Sequence, residues 1–117
     1  MRRGEIRWYQ FARPDKRRLV LVLTRDSALD FLNETTVAPI TRVIRDIPTE
    51  VVLGKEDGML EACAVNLDHI QTVSKSKLGA VVTTLNGETM DAVRQAILFA
   101  LGYKAPPKQA NLKFSAA

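Results

Sequence analysis

One cysteine and one histidine in 117 residues leave this chain without most of the usual catalytic side chains. A lone Cys63 cannot close an internal disulfide, and one cysteine does not build a zinc site. Its neighbours Ala62, Ala64 and Val65 are apolar, which points to a buried, inert thiol. His69 has no second histidine to work with, so a two-histidine acid–base pair is excluded. Asp26 and Asp30 are spaced like helix neighbours but lack further ligands, so no metal and no cofactor is expected. The chain has neither a phosphate-cradling P-loop nor a dinucleotide fingerprint. No apolar run approaches the roughly 20 residues that span a bilayer. The basic N-terminus lacks the apolar stretch of a secretory signal, so a cytoplasmic protein is expected.

What is present is an ordinary globular composition, 46% hydrophobic and 26% charged, in a length suited to one domain. The net charge of +4 is mild, but its distribution is not. Residues 1–25 carry a net +6, residues 26–58 a net −4, residues 59–103 a net −1 and residues 104–117 a net +3. A basic field confined to the N-terminal segment and the tail suits one face that meets phosphates, although a solvated charged face has the same signature.

Gly4–Phe11 alternates apolar and polar residues, the period of a half-buried strand, with Ile6 and Trp8 on one face and Tyr9 on the other. Pro14 and Asp15 turn the chain. Leu19–Leu23 is unbroken apolar sequence and predicts a central strand covered on both faces. Asp26 is a candidate N-cap for a short helix with Leu29 and Leu32 on one face. Further strands are predicted over 35–40, 49–53, 61–66, 69–73 and 79–84, with a loop over 41–48 and turns over 54–58 and 74–77. Asn86 caps a final helix whose stripe is Met90, Val93, Ile97 and Leu101, and Gly102 stops it. The pattern predicts a mainly β chain with helices, class α+β: a small β-barrel with a C-terminal helix packed on it over 1–103, followed by a flexible basic tail over 104–117.

Arg, Thr, Asp and Glu remain as chemistry. Such a set suits RNA cleavage in which the neighbouring 2′-hydroxyl is the nucleophile. The protein then needs only to hold the backbone in line and stabilise charge on the pentacovalent phosphorus. A guanidinium fork matches phosphate oxygens, and DNA, lacking the 2′-hydroxyl, would not be cut.

Five stretches in order resemble the MazF/PemK (Kid) family of toxin endoribonucleases from bacterial toxin–antitoxin pairs. Arg3-Gly4-Glu5-Ile6 resembles the family's RGEIW opening, and Arg18–Asp26 its RPVVVVSND. Thr36–Thr41 resembles VIVAPLTS, Leu67–Gly79 resembles DQIRTVDKSRLG, and Thr84-Leu85-Asn86 with Met90 and Leu101-Gly102 resembles the closing helix. The resemblance implies an SH3-like, CcdB-like barrel that dimerises. It implies metal-independent, sequence-selective cleavage of single-stranded RNA to 2′,3′-cyclic phosphate and 5′-hydroxyl ends, and an antitoxin that blocks the RNA groove. It places the catalytic Arg on Arg18, the catalytic Thr/Ser on Thr41 and, in one branch, a catalytic Asp on Asp68. Departures are Leu19 for Pro, Gln71 for Arg, and Arg42 where Ser or Gln is common. The last two bear on substrate sequence.

Arg13, Lys16 and Arg17 are expected to grip phosphates, and Arg42 and Arg45 to lie in a loop over the RNA. Trp8, Tyr9 and Phe11 are candidates for base stacking; Tyr9, on the face away from Ile6, is the better one, and Trp8, beside Ile6, points first to core or dimer packing. His69 is a candidate RNA contact with a structural role as its competitor. Glu5 is either a surface charge or an orienting partner for Arg18. Since a guanidinium holds its proton below about pH 12, Arg18 is cast as a stabiliser of transition-state charge rather than an acid. The alternative is a non-catalytic module, either a gyrase-directed toxin of CcdB type or a simple RNA binder.

Overall fold

The apolar run over 19–23 sits where its composition demands, in the middle of a sheet. A computed structural model describes residues 1–11 and 17–105. Strand β1 (Glu5–Gln10) pairs antiparallel with β2 (Arg17–Val22), which pairs with β3 (Glu34–Thr41). Val20, Leu21 and Val22 are fully buried because β2 has a strand on either edge and side chains on both faces. The other strands are β4 (Glu50–Leu53), β5 (Cys63–Asn66), β6 (Gln71–Ser74) and β7 (Leu78–Thr84). The sheet order is β4-β5-β3-β2-β1-β7, with β6 also on β3. β3 holds β2 along one edge, and β6 and then β5 along the other. The change of partner falls at Ala38 and Pro39, where proline offers no N–H to a ladder. The α+β class holds, and the expected barrel takes the form of a sheet whose outermost strands, β4 and β7, are not paired to each other.

Helix α2 (Gly87–Ala100) closes the main core. Asn86 caps it as predicted, its side-chain oxygen accepting the Thr89 N–H at 2.8 Å, and Gly102 ends it at φ +83°. Val93 and Ala96 are buried against Ile6, Leu21, Leu53 and Leu67. Leu101 is 55% exposed, so the stripe ends a turn earlier than its spacing suggests. A second, smaller cluster lies on the other face of the sheet, where Tyr9, Val20, Val37 and Val73 pack with Phe11 and Leu78.

Helix α1 (Asp26–Leu29) departs from expectation. Asp26 does not cap it; the cap position is Arg25, and the Asp26 carboxylate instead accepts the Arg3 N–H at 2.7 Å. With one turn only, the helix buries Leu29 and leaves Leu32 exposed. No helix among the described residues is long and apolar enough to cross a membrane.

Candidate nucleic-acid interface

Strand pairing brings the ends of β2 and β3 to one side of the molecule. Antiparallel register places Val20 opposite Pro39 and Val22 opposite Val37, so the start of β2 lies beside the end of β3. Arg18, near the exposed start of β2, and Thr41, the last residue of β3, therefore line one cleft of about 600 Å³. Arg17 and Arg42 line it too, and Leu19, Ile40 and Met59 contribute apolar wall. The cleft thus combines guanidinium groups, a hydroxyl and an apolar floor, the mixture a phosphodiester with attached bases requires.

Thr41 is fixed by its own turn. Its Oγ1 accepts the Val43 N–H at 3.1 Å. With that hydrogen bond made to the oxygen, the hydroxyl's own proton is left to donate. Arg42 and Glu61 pair at 3.3 Å on the cleft wall, both well exposed. Such a surface pair contributes about 0–1 kcal/mol, so a phosphate can displace Glu61 from it. Cys63 lines the cleft as well, and burial first, then the Asp57 and Glu61 carboxylates, push its thiol upward. A protonated thiol is no nucleophile, and Cys63 is wall.

Trp8, not Tyr9, faces the site. Alternation correctly puts the two on opposite faces of β1, but the face of Tyr9 is covered by the second cluster, and Tyr9 is 7% exposed. Its ring packs edge-on against Phe11 at 4.6 Å rather than onto a base. Trp8 lies half-buried at the mouth of the cleft, with the Arg17 guanidinium 4.6 Å from its ring centroid. Leu60, 92% exposed on the rim, is a cleft residue that the sequence pattern did not single out. An apolar residue in a loop just after Gly58 was the available signal.

Asp68 and His69 are not brought to this cleft. They occupy a 3-10 turn (Leu67–His69) after β5, whose other end, at Ala64, pairs with Thr41. Asp68 accepts the Thr49 hydroxyl at 2.7 Å, and Asn66 caps the turn by accepting the Asp68 N–H at 3.0 Å. His69 Nδ1 lies 3.4 Å from the Asn66 amide. Arg45 also stands apart from the cleft lining. Its N–H donates to the buried Glu50 carboxylate at 2.8 Å, and its guanidinium lies 3.7 Å from the other oxygen. Glu5 does not orient Arg18; it pairs with Arg7 at 2.9 Å at the opposite end of the hairpin. Burial works to raise the Glu5 carboxyl, but the Arg2 N–H and the Arg7 guanidinium together hold it below its ordinary value. Arg13 and Lys16 lie outside the described residues, as does the tail from 106 onward.

A larger depression, about 670 Å³, is lined by Thr24, Asn33, Glu34, Thr35 and Thr72 among others. Among the described residues its lining has no Arg or Lys and one carboxylate, the wrong balance for a polyanion.

Known proteins resemble this chain along most of its length. Residues 2–101 match the family described as the PemK-like, MazF-like toxin of type II toxin–antitoxin systems. Among curated proteins, a probable endoribonuclease MazF5 of Mycobacterium tuberculosis is 40% identical over 100 residues, covering 85% of this chain and 87% of that protein. Endoribonuclease MazF3 of the same species is 36% identical over 86 residues, covering 74% and 84% respectively. Among solved structures, Mycobacterium tuberculosis toxin MazF-mt6 superposes with a TM-score of 0.78 at 33% identity, covering 86% of this chain and 98% of that one.

Proposed function

Because the chain belongs to the PemK-like, MazF-like toxins of type II toxin–antitoxin systems, we propose that the Arg18–Thr41 cleft is the RNA-cleaving site of an endoribonuclease toxin. The observation that carries this reading is that Arg18 and Thr41, 23 residues apart in sequence, line one cleft. Single-stranded RNA lies along the cleft with its scissile phosphate between them. The 2′-hydroxyl attacks phosphorus, the bond to the 5′-oxygen breaks, and the products are a 2′,3′-cyclic phosphate and a 5′-hydroxyl. Arg18 offsets the developing negative charge on the non-bridging oxygens, and the Thr41 hydroxyl, keeping its proton, donates a hydrogen bond to one of them. Neither residue needs to give up its charge state. Water takes the 2′-hydroxyl proton and supplies the one gained by the leaving oxygen.

Asp68, hydrogen-bonded to Thr49 at 2.7 Å, is assigned to holding the turn after β5 rather than to the chemistry. The protein acts as a homodimer in the cytoplasm, and a cognate antitoxin silences it by covering this cleft. The alternative of a gyrase-directed toxin gains no support, since the curated relatives above are named endoribonucleases. The test is incubation of pure protein with RNA in EDTA. Discrete fragments with cyclic phosphate ends are expected; intact RNA refutes the reading.

A further inference from the structure

We propose that Trp8 and Arg17 form a base-stacking subsite, in which one nucleobase of the bound RNA lies on the indole face that Arg17 covers in the free protein. The inference rests on the cleft being the RNA-cleaving site, and adds to it a residue that positions the substrate. Three observations carry it. Trp8 shares the face of Ile6, yet it is only half-buried and lines the cleft, so its ring is not taken up by the core. Trp8 lines the same cleft as Arg17, Arg18 and Thr41, which puts the ring within the stretch of RNA that the cleft holds. Finally, a planar cation already lies over the ring, 4.6 Å from its centroid, so that face admits a flat, delocalised group from the solvent side.

Competition for the face favours the base. An exposed guanidinium–ring contact is worth about two- to five-fold in an equilibrium. Stacking a base on an aromatic side chain is worth roughly five- to a hundred-fold. RNA therefore displaces Arg17 from the ring, and the released guanidinium, beside Arg18, is in reach of the backbone phosphates. Stacking tolerates every base, so Trp8 supplies affinity and registers the strand and does not read the sequence.

Trp8 is the only tryptophan, which makes the intrinsic emission a reporter of this one ring. The experiment uses the full chain and a short RNA whose cleavage position has been mapped, made uncleavable by a 2′-deoxy sugar at the scissile nucleotide. Titration is expected to change the emission. Trp8→Leu is expected to weaken binding at least five-fold and raise KM while kcat at saturating RNA stays near wild type; Trp8→Phe stays within about three-fold of wild type. An abasic scan of the RNA is expected to find one position whose missing base weakens binding to wild type but not to Trp8→Leu. Unchanged emission, with no abasic position distinguishing wild type from Trp8→Leu, overturns the subsite while cleavage stands. If wild type leaves the unmodified RNA intact, the endoribonuclease reading itself falls, and the subsite with it.

Discussion

Replacing Gly58 by alanine puts a methyl group where the fold has no room for one. The residue ends the turn after β4 at φ +90°, and a Cβ there would lie 2.4 Å from Thr83 Oγ1 and 2.9 Å from Thr83 Cβ. Two costs add. Left-handed backbone costs a non-glycine residue roughly 1–2 kcal/mol. The clash forces Thr83 to move, which strains β7 and breaks the hydrogen bond from its hydroxyl to the Asp57 carbonyl at 3.1 Å, about another 1–2 kcal/mol. Gly102 is the internal control: its φ is +83°, but a Cβ there meets nothing within 4 Å, so Gly102→Ala carries the backbone cost alone. Chemical denaturation is expected to show Gly58→Ala less stable than wild type by about 2–4 kcal/mol and Gly102→Ala by about 1–2 kcal/mol. Thr83→Ala in the Gly58→Ala background should recover part of the difference, because it removes the 2.4 Å contact. Since Met59 and Leu60 follow directly and wall the cleft, RNA cleavage should weaken along with stability in Gly58→Ala and not in Gly102→Ala. Equal losses for the two alanines would refute the packing argument.

Other consequences are simpler to state. Asn86→Ala removes the cap of α2 and should cost about 1 kcal/mol in a denaturant titration, with Asn86→Asp close to wild type. The Glu5 carboxyl titrates below its ordinary value of 4.5, so its contribution to stability is present above that pH and is lost as pH falls through the lower, folded value. Glu5→Gln should therefore be less stable than wild type near neutrality, and the two should converge in acid. Cys63, buried and with its thiol pushed upward, should react with a thiol reagent far more slowly in the native protein than in denaturant.

Residue pattern alone located most of the elements. The apolar run in β2 and the capped stripe of α2 were legible because each encodes burial directly: both faces in one case, every third or fourth residue in the other. The errors came where the partner lies far along the chain. Asp26 has the chemistry of a cap, but Arg3 reaches it first. Alternation assigns Tyr9 and Trp8 to opposite faces, yet only β6 and β7, sixty or more residues later, cover one face and leave the cleft on the other. The proposal of Arg18 and Thr41 as a pair came from resemblance; strand register adds only that the start of β2 lies near the end of β3. The same resemblance offered Asp68, which sits in the turn after β5 and is not among the residues lining the cleft.

The central claim is that Arg18 and Thr41 serve one phosphodiester, and a double-mutant cycle in kcat/KM measures it directly. Arg18→Ala and Thr41→Val should each lower RNA cleavage by about a hundred-fold or more with folding intact. The double variant should fall little below the worse single, because both groups stabilise the same transition state. Losses that multiply fully, or wild-type cleavage in either single variant, would contradict it.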